Sequence, residues 1–181
     1  MKTILNDIPN REALINGDRA LKIGYPGLTS GAIITLESIV NKKMKVLELG
    51  SGGSTLFWAR NCKSVRSYET NADLYKDVKQ KTRFLRNVEI VLTDRHGMTV
   101  GLASEPKQGY DIILINSDPI HSRRLYLANL ALFKIKAGGW MIINNYQKFG
   151  MSTFNYSKKQ VFTFDEIGFL GGGTRLLKFP A

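Results

Sequence analysis

Short apolar runs along this chain alternate with stretches whose apolar positions recur every three to four residues. That alternation predicts βαβ units around a parallel sheet. Residues 44–49, 64–69, 87–92, 110–115 and 140–143 read as five strands. The fourth is almost continuously apolar, as a strand covered on both faces should be. Residues 54–61 read as a helix, and Leu74, Val78, Thr82 and Leu85 trace one face of another, with Asn71 suited to cap it. Leu125, Asn129, Leu130 and Phe133 trace a third, expected to end at Gly138-Gly139. Before the first strand, Thr29 or Ser30 is placed to cap a helix carrying Ala32, Leu36, Ile39 and Val40.

After residue 143 the alternation stops. Residues 160–164 and 174–179 are two strands with only a loop between them, so they must pair antiparallel. The expected architecture is one domain, 1–181, with a doubly wound, mostly parallel sheet in a three-layer α/β/α sandwich. Residues 1–43 form an N-terminal helical segment, 44–145 the βαβ core, and 146–181 an edge loop and terminal hairpin.

Composition narrows the class. At 43% hydrophobic and 23% charged residues the chain is neither disordered nor a fibrous repeat. No apolar run approaches the roughly 20 residues that cross a bilayer, and residues 1–7 do not look like a signal peptide. Cys62 is the sole cysteine, which excludes an internal disulfide framework and a cysteine zinc cage. A cytoplasmic protein is expected, and self-association is left open. Lys and Arg number 26 against 15 Asp and Glu, a net +11. The excess favours an anionic partner, whether nucleic acid, an acidic small molecule or a membrane surface, and of these no membrane partner is expected. The cations are scattered, however, over 42–45, 76–86, 134–136 and 158–159.

The chemistry points to the turn Gly50-Ser51-Gly52-Gly53-Ser54-Thr55 between the first strand and its helix. Ligands of open α/β sheets bind at such carboxyl ends. Glycines admit a ligand close to the backbone, and N–H groups opening the helix suit an anion. Thr55 stands where a dinucleotide fingerprint needs its last glycine, and no Gly-Lys-Ser/Thr follows to make a P-loop. Glu69 ends the second strand 19 residues after Gly50, where a carboxylate can accept both hydroxyls of a ribose.

The stretch 46–55, followed by Tyr68-Glu69-Thr70, resembles the class I S-adenosylmethionine-dependent methyltransferases, whose first motif is an acidic residue and Gly-x-Gly after a hydrophobic strand. The terminal hairpin fits the same Rossmann-like topology. The resemblance runs from about Thr29 to the C-terminus and implies fold and cofactor, but not substrate. It implies that Gly50 and Gly52 pass under the methionine part of S-adenosylmethionine. Glu48 would face its ammonium, directly or through water, Ser54 or Thr55 its carboxylate, and Glu69 its ribose. Asp94 would meet the adenine amino group, unless it only forms a turn. Ser51, Thr70 and Asn116 complete the expected contacts.

The fourth strand departs from the family pattern. Relatives that bind magnesium carry Asp after this strand and Asp-Asn after the fifth; here the positions hold Asn116, Asn144 and Asn145. Neutral amides attract a hard cation weakly, so no catalytic metal is expected. Ser117-Asp118-Pro119-Ile120 lacks the second proline and the aromatic of the amino-methylating nucleic-acid enzymes. It resembles the aminopropyltransferase motif one residue short, without that family's first motif. The expected activity is O- or N-methylation of a small molecule, with nucleic-acid methylation or a non-catalytic binding module as alternatives. His121, just past the strand, is the first candidate for a general base and Asp118 the second. His96 reads as a loop residue and Gly171-Gly172-Gly173 as a turn. Tyr146, Phe149, Phe154 and Tyr156 either stack a planar substrate or cover the core.

Overall fold

In the computed structural model, residues 17–117, 121–148, 151–165 and 172–181 are described. Strand β1 (Lys45–Leu49) is central, flanked by β2 (Ser64–Glu69) and β4 (Tyr110–Ile115); β3 (Val88–Leu92) lies beyond β2, and β5 (Ile135–Asn144) beyond β4. All five are parallel. Then come β7 (Thr174–Lys178), antiparallel to β5, and β6 (Gln160–Phe164), antiparallel to β7, giving the order β3-β2-β1-β4-β5-β7-β6. The helices are α1 (Gly17–Ile23), α2 (Ser30–Ile39), α3 (Gly53–Asn61), α4 (Ala72–Thr82), α5 (Arg95–Ser104) and α6 (His121–Ala131).

Alternate residues of the central strands face opposite layers, and both layers are dry. Leu47, Leu49, Ile113, Ile115 and Ile143 pack on Met98 and Leu102 of α5 and Leu127 and Ala131 of α6. On the other face Val46, Ile112, Leu114 and Ile142 meet Ile33 and Leu36 of α2 and Phe57 and Trp58 of α3. This double burial is why the strands read as unbroken apolar runs. The strand order reverses between β1 and β4, so the chain leaves their adjoining carboxyl ends toward helices on opposite faces of the sheet, and a crevice opens above them. No helix among the described residues is long and apolar enough to cross a membrane.

Several local expectations change. Helix α6 ends at Ala131, and Gly138-Gly139 lie inside β5 rather than closing a helix. Gly138 is left-handed (φ 68°), and the register slips from Tyr110↔Ile135 to Ile112↔Trp140. A left-handed glycine serves a bulge as readily as a helix end, so the residue type alone was ambiguous. His96 belongs to the first turn of α5 and not to a loop. Helix α3 starts at Gly53. Thr29 holds the N-cap position of α2 without a side-chain cap; its N–H donates instead to Thr174 Oγ1 (3.2 Å). Asn71 caps α4 as expected, accepting from the N–H groups of Asp73 and Leu74.

Candidate active site

Two glycines of the turn are fixed by different constraints. Gly50 is left-handed (φ 93°), and a Cβ there would come 3.1 Å from the Asn116 carbonyl carbon and the Ser117 nitrogen. The exits of β1 and β4 therefore touch through backbone alone. A Cβ on Gly53 would lie 2.1 Å from the Tyr25 carbonyl oxygen and 2.3 Å from that of Ala20, because the end of α1 rests on the first turn of α3. Gly52 differs: among the described residues a Cβ there would meet nothing within 4 Å. It borders a cleft of about 500 Å³ at the crevice between β1 and β4.

Two carboxylates brace this turn. Glu69, 4% exposed, accepts four bonds: from Ser51 N (2.7 Å) and Ser51 Oγ (2.9 Å) on Oε2, and from Thr70 N (2.7 Å) and Asn71 N (2.8 Å) on Oε1. Glu48 is wholly buried beneath the turn, accepting from Thr55 Oγ1 (2.6 Å) and from Ser54 Oγ. Burial pushes its carboxyl up to about 7, against the opposing pull of the Ser54 and Thr55 hydroxyls. Thr55 Oγ1 also accepts from Gly52 N (3.0 Å), so Glu48, Thr55 and the turn form one unit.

Of the residues expected at the site, Gly50, Ser51, Gly52, Ser54, Glu69, Thr70 and Asn116 line the cleft. Glu48 and Thr55 lie beneath it. Asp94 is the N-cap of α5, its Oδ1 accepting from Gly97 N (2.6 Å), and is not part of the lining. Asp118 falls outside the described residues. His121 is the first residue of α6, and its side chain is likewise outside them.

The opposite wall is made of amides. Asn144 Nδ2 donates to Asn116 Oδ1 (2.9 Å) and to the Gly27 carbonyl (3.1 Å), while its Oδ1 accepts from Thr174 Oγ1 (3.3 Å). This network joins β4, β5, β7 and the segment before α2. An amide N–H₂ directed at two oxygens belongs to a hydrogen-bond clamp and does not fit a divalent cation. Asn145 also lines the cleft.

Arg124 was missed in the sequence. Its guanidinium is 3% exposed and donates to the carbonyls of Ser117 (Nε, 2.9 Å) and Asn144 (2.6 Å), stapling the ends of β4 and β5. An arginine on a helix ordinarily reads as a solvent-facing residue, so no pattern marked it. Tyr146 and Phe154 are buried in the core and Tyr156 packs against it, so these aromatics cover the core. Arg175 stacks 3.8 Å over Tyr146 and 4.7 Å from Tyr156. Phe149 and Gly171 lie outside the described residues.

Some of the positive charge is structural. Lys134 donates to carbonyls ending α5, including Ala103 O (2.7 Å), and Lys136 pairs with Asp111 (2.8 Å). Lys76, Lys79, Lys81, Arg83 and Arg86 remain exposed along and after α4, whose other end reaches the cleft rim at Asp73 and Leu74.

No sequence-family model matches the chain, and no curated protein sequence does. Solved structures do match. A Klebsiella pneumoniae protein assigned as an O-methyltransferase superposes with a TM-score of 0.69 at 16% identity, over 98% of this chain and 94% of that one. An rRNA methylase from Streptococcus thermophilus gives 0.63 at 14% identity, over 84% and 98%. Aeropyrum pernix fibrillarin, crystallised with natively bound S-adenosyl-L-methionine, gives 0.59 at 14% identity, over 76% and 67%. At these identities the likeness establishes the fold: the chain has the Rossmann-like architecture that these methyltransferases share.

Proposed function

We propose that this chain is an S-adenosylmethionine-dependent methyltransferase that methylates oxygen or nitrogen of a small molecule without a metal. One observation carries the reading: Gly52, whose missing side chain leaves open space, faces a cleft of about 500 Å³ beside the fully oriented carboxylate of Glu69. Glycine has no steric reason of its own at position 52, and a ligand passing against the backbone supplies one. The fold neighbour crystallised with S-adenosyl-L-methionine supports the same cofactor.

Each residue then has a task. Glu69 is held by the backbone N–H groups of Ser51, Thr70 and Asn71, and offers the ribose a lone pair once the Ser51 hydroxyl rotates away. The hydroxyl protons of Ser54 and Thr55 are both given to Glu48, so the backbone N–H groups opening α3 are the better partners for the methionine carboxylate. Glu48 acts from below, keeping those groups in register. Bound there, S-adenosylmethionine supplies a methyl group on a sulfonium that leaves as a neutral thioether. The protein therefore has to align and desolvate more than to neutralise charge. Asp118 and His121, in the segment from β4 into α6, are the proposed general bases for a protonated acceptor.

Nucleic-acid methylation is the second reading. The exposed cations of α4 favour it, together with Phe84, 81% exposed with Arg83 stacked 4.5 Å above it. Calorimetric titration with S-adenosylhomocysteine tests the cofactor. Methyl transfer from labelled S-adenosylmethionine to small amines and phenols, against RNA and DNA at two salt concentrations, tests the acceptor. Steep salt dependence with transfer to nucleic acid would replace the small-molecule reading. Cofactor binding without transfer to any class would leave a binding module.

A further inference from the structure

A one-sided run of charge lies outside the cleft, on α4 and the turn after it. Residues 72–86 hold five cations and two carboxylates, and both carboxylates, Asp73 and Asp77, precede Lys79. From there to residue 86 the charged side chains are Lys79, Lys81, Arg83 and Arg86, with no acid among them. All four are exposed, and none has an ion-pair partner among the described residues. The helix dipole accounts for Lys79 and Lys81, in the last turn of α4. It does not account for Arg86, past the helix, or for Phe84. That ring is 81% exposed, the highest value for a large apolar side chain among the described residues, and the Arg83 guanidinium stacks 4.5 Å from its centre. With Asp77, Gln80 and Lys81 these two side chains line an open groove of about 550 Å³. Asp77 lines the cleft as well, so one side chain borders both.

Together these features describe a ligand. A row of exposed cations without acids attracts a chain of phosphates. An exposed ring with a flat guanidinium beside it offers a base a surface to stack on. Gln80 adds an amide that can both donate to and accept from a base edge. Stacking needs an unpaired base, so a single strand fits better than a duplex. A membrane fits worse. The apolar side chains of α4, Leu74 and Val78, are turned into the core, which leaves Phe84 alone on this face to enter a bilayer. We propose that α4 and residues 83–86 bind single-stranded nucleic acid, with Phe84 and Arg83 stacking a base and Lys79, Lys81 and Arg86 following the phosphates. The inference concerns docking outside the cleft, and it holds whichever acceptor is methylated.

Fluorescence anisotropy of a labelled uridine oligonucleotide about 12 nucleotides long, titrated with the full chain, tests the proposal. Three phosphate contacts should weaken wild-type binding roughly 20-fold between about 50 and about 200 mM salt. Lys79→Gln combined with Lys81→Gln should reduce that dependence to roughly 3-fold. Phe84→Ala should weaken binding roughly 10-fold at either salt concentration, because stacking is not ionic. The ring is exposed, so the melting temperature of that variant should match the wild type. Lys158→Gln, beside β6 at the opposite edge of the sheet, should bind as the wild type does. An unchanged affinity in Phe84→Ala, a hairpin duplex bound as tightly as the single strand, or an equal loss in Lys158→Gln would overturn the proposal. A wild type that ignores the oligonucleotide and binds phosphatidylserine vesicles would assign the surface to a membrane, and one that binds neither would leave it a solvated face; both contradict the inference. Titration of S-adenosylhomocysteine separates this result from the cofactor: a wild type that fails to bind it removes the methyltransferase reading and leaves the docking surface standing.

Discussion

The two walls of the cleft are built on different principles. The wall from β1 and β2 is local: Glu48, the glycine turn, Glu69 and Asn71 lie within one βαβ unit. Every carboxylate oxygen there has a protein donor. The wall from β4 and β5 is assembled from far apart in the chain. Asn144 reaches Gly27 and Thr29 reaches Thr174, across 117 and 145 residues. In that wall Asn145 Oδ1 has no hydrogen-bond partner among the described residues. The first wall is held by contacts close in sequence, whereas the second is only as secure as the long-range packing that assembles it.

Substitutions can break this contrast in graded steps. The largest effect is expected from Gly53→Ala, which drives a methyl group into two backbone oxygens. It should cost about 3 kcal/mol and lower the melting temperature by roughly 6–12 °C, with loss of S-adenosylhomocysteine binding as α1 is lifted from α3. Asn144→Asp attacks the other wall. It replaces two donated bonds with a buried anion facing the Asn116 and Gly27 oxygens. A loss of about 2–3 kcal/mol is expected in urea melts at pH 8, smaller at pH 5 where the new carboxyl can be protonated.

Glu48 adds a pH signature to the first wall. Its carboxyl is raised to about 7 by burial, so the folded state holds a proton that the unfolded chain releases near the ordinary carboxylate range. The stability from this group is fully present below about pH 4.5 and is lost as pH rises through about 7, a span on the order of 3 kcal/mol. Glu48→Gln should flatten the dependence of urea-unfolding stability between pH 5 and 8. A slope unchanged in the variant would assign the titration elsewhere. The smallest effect sharpens the boundary of the cofactor wall. Asp94→Ala should cost about 1 kcal/mol through the lost cap on α5 and leave S-adenosylhomocysteine affinity unaltered. A large loss of affinity would return Asp94 to the cofactor site.

The same division decided what could be read from the sequence. Strand–turn–helix at 45–61, the carboxylate at the end of β2 and the antiparallel hairpin are short-range patterns, and the structure carries all three. Arg124 shows where the reading ran out. A residue type and spacing place a side chain at a strand end, but only packing decides whether it faces the cleft, a helix amide or a neighbouring carbonyl. Arg124 is informative here, since its buried partners are backbone oxygens that leave no mark in the sequence. The bulge at Gly138 was hidden for a related reason: a left-handed glycine announces a reversal of local conformation without saying which element contains it.

The central claim is that the glycine turn is open because S-adenosylmethionine occupies the space. Calorimetric titration of S-adenosylmethionine and S-adenosylhomocysteine into the wild type and into Gly52→Asp tests it most directly, because nothing among the described residues lies within 4 Å of a Cβ at that position. The account predicts micromolar binding by the wild type, and its loss in a variant whose melting temperature is unchanged. A folded wild type that binds neither compound, or a variant that binds as well as the wild type, would contradict it.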